Sequence, residues 1–201
     1  MILELNDKTS WIEQIKLDKE LWVDQDLFEE LFALHPKERG EGVIFGQHVE
    51  FPRWQVSYGE DYYFTGQIHI GQPLTHPYLI KLLKYVQEHS KKPYKQVLVN
   101  WYQDGNDYIG PHSDDERQLV RGSAIYSFSF GQERDFVLKA KESKERHVIP
   151  MPNNSLIIMS GDIQRNYKHS VPKRAIKVCP GRRINITFRL FKGDNNSTNP
   201  Y

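Results

Sequence analysis

A chain of 201 residues with a formal net charge of +1 suits one domain, or one domain with a small N-terminal extension. Cys179 is the only cysteine, which excludes an internal disulfide and a thiolate zinc site and points to a reducing, intracellular compartment, nucleus or cytoplasm. No apolar run approaches the roughly 18 residues of a membrane span, and Met1-Ile2-Leu3-Glu4 lacks the basic and apolar regions of a secretory signal, so no membrane role is expected.

The charges are not evenly spread. The acidic residues Asp24, Asp26, Glu29 and Glu30 crowd together near the N-terminus. From Ile163 to Lys192 there is no acidic residue, while Arg165, Lys168, Lys173, Arg174, Lys177, Arg182, Arg183, Arg189 and Lys192 are all basic. A one-sided basic field suits a polyanionic substrate, although a solvated surface would carry the same signal.

In chain order, the first predicted element is a helix capped by Asp24 and running to about Leu34, with Leu27, Phe28, Leu31 and Leu34 as its apolar stripe. A second helix opens at Thr75, with Pro77 in its first turn, and runs to about His89. Its stripe is Leu79, Leu82, Leu83 and Val86. From Val97 onward the hydrophobic period becomes two. Strands are expected at Leu98–Tyr102, Ile125–Phe130, Phe136–Lys139, Val148–Met151, Leu156–Met159 and Arg183–Phe191, with turn residues between them. Closely spaced strands after two helices predict an α+β, mainly β fold: an antiparallel double sheet buttressed by helices. The polar tail from Gly193 to Tyr201 is expected to be disordered.

Chemistry concentrates in the same C-terminal half. His112 and Asp114 stand two apart, and on an extended strand both would point to one face. With a third imidazole they would form the two-histidine, one-carboxylate triad of non-haem Fe(II) oxygenases, which leaves positions open for a co-substrate and dioxygen. His169, in a short extended segment before the last strand, is the expected third ligand, with His147 and His69 as rivals. In the last strand Arg183, Asn185, Thr187 and Arg189 share one face, and Ile184, Ile186, Phe188 and Leu190 the other. Two guanidiniums on an interior face would be costly without an anion, and arginine suits bidentate carboxylate binding. An exposed edge strand is the alternative. Asn100 and Tyr102 show the same two-residue offset and can add hydrogen bonds to that anion.

These residues carry a family resemblance. Asn100-Trp101-Tyr102, His112-Ser113-Asp114, His169 and Arg183-Ile184-Asn185-Ile186-Thr187-Phe188-Arg189 resemble the AlkB family of Fe(II)/2-oxoglutarate dioxygenases. The likeness is greatest to the branch that repairs alkylated duplex DNA in animals and plants. It extends to Ser129-Phe130-Gly131, Arg134-Asp135-Phe136-Val137 and Tyr62-Tyr63-Phe64-Thr65-Gly66, and covers roughly residues 43–191.

The resemblance implies a double-stranded β-helix, or jelly roll, with an N-terminal nucleotide-recognition lid. The chain would divide into helices and lid at 1–95, a catalytic core at 96–192 and a tail at 193–201. It also implies that His112, Asp114 and His169 ligate Fe(II). Asn100, Tyr102, Arg183, Asn185, Thr187 and Arg189 would hold 2-oxoglutarate, with one arginine at the distal carboxylate and one near the metal. On the substrate side, Asp115 would contact the exocyclic amine of the damaged base and Phe64 would stack on that base. Tyr62 would stand beside it in the lid, Phe45 would fill the gap in the duplex, and Arg53, Lys173 and Arg174 would contact DNA. Extruding a base costs a few kcal/mol, which stacking and an inserted apolar side chain offset.

The activity implied is oxidative demethylation of bases such as 1-methyladenine and 3-methylcytosine, using O2 and releasing formaldehyde, succinate and CO2. The expected partner is DNA, duplex preferred and single strand possible, and the protein a monomer. The basic stretch Lys139–His147 is shorter than its counterpart in that branch, which leaves strand preference more open than the chemistry. Alternatives are an RNA demethylase, a protein or lipid oxygenase on the same scaffold, or a catalytically silent nucleic-acid-binding module.

Overall fold

The computed structural model describes residues 1–44, 46–64 and 67–192, without the side chains of Ile44, Tyr62, Phe64 and Gln67. The expected roles of Phe45, Tyr62 and Phe64 and the expected disorder of 193–201 therefore lie outside the described residues. The elements in order are β1 (Ile2–Glu4), β2 (Ser10–Lys16), a 3-10 turn at Lys19–Leu21, α1 (Gln25–Phe32), β3 (Glu41–Ile44), β4 (Gln47–Glu50), β5 (Trp54–Tyr58), β6 (Tyr62–Phe64), β7 (Gln67–His69) and α2 (Pro77–Ser90). Then follow β8 (Gln96–Tyr102), β9 (Ile109–His112), β10 (Ile125–Gly131), β11 (Arg134–Ala140), β12 (Arg146–Met151), β13 (Ser155–Gly161), α3 (Ile163–Asn166), β14 (Tyr167–Val171) and β15 (Arg183–Arg189).

Two antiparallel sheets face each other. The major sheet has seven strands in the order β1-β2-β13-β10-β15-β8-β5, and the minor sheet four in the order β12-β11-β14-β9. Two hairpins, β3–β4 and β6–β7, stand apart from both. The mainly β, jelly-roll expectation is met. The major sheet takes β1, β2 and β5 from the first 95 residues and its other four strands from the rest.

Period-two alternation assigns each face of the major sheet a different partner. Val97, Val99 and Trp101 of β8, Phe128 and Phe130 of β10, Leu156 and Ile158 of β13 and Ile184, Ile186 and Phe188 of β15 pack with α1 and α2. Each helix contributes an apolar stripe, Phe28, Leu31 and Phe32 from α1 and Leu79, Leu82 and Val86 from α2. The intervening residues Ile125, Ile157 and Met159 pack instead with Phe136, Leu138, Ile149 and Met151 of the minor sheet. The same inward face of β8, β10 and β15 is polar in its middle and lines a cavity between the sheets.

Local chemistry accounts for the helix ends. The Asp24 side chain accepts from the Leu27 amide at 2.9 Å and caps α1, which ends at Phe32 rather than Leu34. His76, not Thr75, caps α2, its ring nitrogen accepting from the Tyr78 amide at 3.2 Å, with Pro77 in the first turn where no donor is missed. The Trp101 indole donates to the Leu31 carbonyl at 2.8 Å, tying the end of α1 to β8 of the major sheet. The last strand ends at Arg189. Phe191 lies beyond it in an isolated bridge to Leu119.

Candidate active site

The first two imidazoles are brought together by strand pairing. β14 runs antiparallel to β9, with His169 directly opposite His112, and their ring centroids are 4.3 Å apart. Direct cross-strand neighbours are the closest side-chain pairs in a sheet. Asp114 does not share a strand with His112, as the H-x-D spacing had suggested. β9 ends at His112, and Asp114 lies in the segment that follows. That segment is pinned from outside: the Asp114 amide donates to the Gln164 side chain at 2.9 Å, and the Ser113 hydroxyl to the Tyr167 carbonyl at 2.7 Å. Held in this way, the segment directs the carboxylate back toward both histidines.

His112 Nε2 and His169 Nε2 each lie 3.7 Å from a different oxygen of Asp114. Those separations are too long for hydrogen bonds. They are short enough to be bridged by one ion with bonds of about 2.0–2.2 Å to each ligand. Among the described residues, His112, Asp114 and His169 are the one group of metal-ligating side chains, all ligand atoms lying within 4.8 Å of one another. The rivals lie elsewhere: His147 bonds Glu145 at 2.7 Å, and His69 approaches Gln55 at 3.4 Å.

The electrostatics suit a cation. Burial works against charge on Asp114, but Arg189 and the two imidazoles outweigh it and hold the carboxyl well below the usual range. Arg189 donates to Asp114 Oδ1 at 2.9 Å. The other oxygen, Oδ2, is buried without a hydrogen-bond donor, which a metal ion would remedy. Burial, reinforced by the neighbouring His112, pushes His169 down to about 3, and burial also lowers His112. Both imidazoles are thus neutral at neutral pH, the form that ligates metal. The ring Nδ1 of His112 lies 2.9 Å from the Gly110 carbonyl, so that nitrogen carries the proton and Nε2 keeps its lone pair.

Beside this group, a narrow cavity is lined by Asn100, Tyr102, Arg183, Asn185, Thr187 and Arg189 of the major sheet. Strand β15 is central, between β10 and β8, so the edge-strand alternative is excluded. Arg183 is 1% exposed, burial pushes it down to about 10, and it makes no ion pair among the described residues. One of its terminal nitrogens donates to the Ser129 hydroxyl at 2.9 Å, whereas Nε and the other terminal nitrogen have no partner. A buried guanidinium with two unused donors fits a ligand carboxylate.

Other expected residues have different surroundings. Asn185 spends both amide protons on Ser127 Oγ and the Phe128 carbonyl, each at 2.8 Å, and accepts from Thr187 at 3.1 Å. It braces β15 against β10. Arg53 is 3% exposed inside the cavity, donating to Asn100 at 2.9 Å and Gln55 at 2.8 Å, rather than lying on an outer surface. Asp115 and Lys173 are exposed, while Arg174 pairs with Asp135. Of the remaining basic field, Arg182 pairs with Glu29.

Ser127 and Ser129 were not foreseen as part of the site. Their Ser-x-Ser alternation between aromatic residues was the available signal, but only the β10–β15 pairing, with Ser127 opposite Thr187 and Ser129 opposite Asn185, brings their hydroxyls diagonally to Asn185 and Arg183.

Comparison with known proteins agrees with this geometry. Residues 19–189 match the model of the 2OG-Fe(II) oxygenase superfamily, and the chain belongs to that superfamily. Human "DNA oxidative demethylase ALKBH2" is 37% identical over 157 residues, covering 73% of this chain and 59% of the relative. The bovine "Alpha-ketoglutarate-dependent dioxygenase alkB homolog 3" is 33% identical over 178 residues, covering 84% and 62%. The chain thus spans about three-fifths of the length of these relatives. The solved structure of OsALKBH1 superposes with a TM-score of 0.55 at 17% identity, covering 89% of this chain and 97% of that one, a likeness of fold.

Proposed function

We propose that this protein is an Fe(II)- and 2-oxoglutarate-dependent dioxygenase that demethylates alkylated bases such as 1-methyladenine and 3-methylcytosine, with duplex DNA as preferred substrate. The observation that carries this reading is the convergence of His112, Asp114 and His169 beside the partnerless donors of buried Arg183. In it, the three residues hold Fe(II), Arg183 takes the distal carboxylate of 2-oxoglutarate, and Arg189 stands at the metal end through its bond to Asp114. Bound Fe(II), 2-oxoglutarate and O2 supply the oxidising power that hydroxylates an N-methyl carbon, which then leaves as formaldehyde. The chain's own work is placement: it keeps both imidazoles neutral, holds Asp114 ionised and encloses the co-substrate away from bulk water.

The nucleic-acid part of the reading is supported by the name of the 37% identical human relative and by a basic row on the minor sheet. Arg146, Lys139 and Lys168 stand in register across β12, β11 and β14, all exposed, on the face opposite His169. Like charges directly opposite one another destabilise a sheet, and a polyanion relieves that repulsion. Asp115 remains the proposed contact to the base, Phe64 the stacking aromatic and Phe45 the intercalating finger.

Protein supplied with Fe(II), ascorbate and 2-oxoglutarate should release formaldehyde from oligonucleotides carrying 1-methyladenine or 3-methylcytosine. Turnover of another substrate with these oligonucleotides left intact would refute the substrate assignment. Phe45→Ala should lower activity on duplex while sparing single strands. Equal loss on both removes the finger from the duplex reading.

A further inference from the structure

Arg134, in the first position of β11, is 3% exposed and makes no ion pair among the described residues. Its guanidinium bonds instead to three backbone carbonyls: Asp104 at 3.1 Å, Asp107 at 2.9 Å and Pro172 at 2.8 Å. Asp104 and Asp107 belong to the turn that directly follows Tyr102 in β8, and Pro172 directly follows β14, the strand of His169. One side chain thus joins the continuation of a co-substrate strand to that of a metal-ligand strand.

The same guanidinium approaches the Tyr102 ring, with its carbon 5.9 Å from the centroid, and that of Arg183 lies 4.9 Å from the same centroid. Tyr102 is therefore in contact with two buried cations. Two backbone bonds reinforce the junction: Gly105 donates to the Cys179 carbonyl at 2.8 Å, and Arg174 donates to the Gly105 carbonyl at 2.6 Å. A side chain at Gly105 would come within 2.7 Å of the Arg174 carbonyl, so only glycine permits this approach.

We propose that Arg134 is a positioning residue for the co-substrate. By clamping the turn after β8 to the segment after β14, it holds Tyr102 against Arg183 and fixes the wall that receives the distal carboxylate. It touches neither metal nor co-substrate and acts through Tyr102 and Arg183. A guanidinium suits this role because two acceptors lie in one turn and the third in another segment, and its planar fork reaches all three. The inference rests on the 2-oxoglutarate reading of the cavity.

The test is calorimetric titration of 2-oxoglutarate into Mn(II)-loaded protein, where no turnover occurs. Arg134→Met should weaken 2-oxoglutarate binding by about tenfold or more, equivalent to the loss of one or two net hydrogen bonds. Mn(II) affinity should stay within about threefold of the parent, because the triad keeps its own supports. Arg134→Lys, which keeps the charge but not the fork, should fall between the two. In turnover assays the KM for 2-oxoglutarate should rise while kcat at saturation holds. If Arg134→Met or Arg134→Lys melts earlier yet binds 2-oxoglutarate as tightly as the parent, the role is purely structural and the proposal is overturned. Should Arg134→Met not fold, Arg134→Lys decides alone by the same criterion. A parent protein that takes Mn(II) but not 2-oxoglutarate overturns the underlying reading instead.

Discussion

The two sheets bring different chemistry to one cavity. The minor sheet and the loop beside it supply His112, Asp114 and His169, groups that are neutral or negative and suited to a cation. The major sheet supplies Arg183 and Arg189 with Asn100 and Tyr102, groups suited to an anion. The 2.9 Å bond from Arg189 to Asp114 joins these two sets of groups directly. Metal affinity and co-substrate affinity should therefore respond separately to substitution, except at that link.

Asp114→Ala removes the link and should have the largest effect. It deletes a metal ligand and removes the carboxylate that pairs with the buried Arg189 guanidinium. Activity should fall below about a thousandth of the parent, beyond the roughly 10–100-fold that losing a supporting residue costs. Retained Fe(II) binding and turnover would show that the minor sheet does not hold the metal in this way. Next comes the core face of β15, the strand that carries Arg189. Phe188 is wholly buried against Phe128 and the helices, so Phe188→Ala should cost about 3–5 kcal/mol in urea unfolding. The protein that remains folded should bind 2-oxoglutarate as before. A loss confined to binding would mean that the two faces of β15 are not independent.

That two-faced strand was also the most legible part of the sequence. Arg183 to Leu190 alternates without exception, and burial of both faces explains why the alternation separates pocket from core rather than water from core. Other parts were hidden for physical reasons. In β2, Ile12 and Ile15 are three apart, so no period of two stands out; the strand exists because it pairs with β13, far away in sequence. In β5 the signal was present, with Trp54, Val56 and Tyr58 alternating with Gln55 and Ser57. The position of Asp114 off the β9 strand depends on Gln164, fifty residues later, which local spacing cannot reveal.

Arg183→Leu tests the anion side alone. It removes the donors that lack partners while keeping an apolar side chain over Tyr102. The affinity for 2-oxoglutarate should fall on the order of 100-fold, as expected for one member of a buried charged pair. Mn(II) binding should be preserved, because no metal ligand contacts Arg183. If Mn(II) is lost as well, the two sheets are more tightly coupled than the Arg189–Asp114 bond implies.

The smallest effect separates the sheets by pH. In metal-free protein, burial holds His169 down to about 3, against 6.5 for an unperturbed imidazole. Above pH 6.5 the ring is neutral in both folded and unfolded states and contributes nothing to the pH dependence. As pH falls from 6.5 toward 3 the unfolded chain takes up a proton that the folded chain refuses, so stability declines. The decline should approach about tenfold in the folding constant per pH unit for this one group. His112 is lowered in the same direction and adds to the slope. Arg183, at about 10, keeps its charge over the whole range, so it contributes none of this dependence. Urea midpoints of metal-free His169→Gln should therefore vary less between pH 7 and 4 than those of the parent. Parallel profiles would mean that His169 accepts its proton in the folded state, and that the minor sheet does not keep its imidazole ready for a metal.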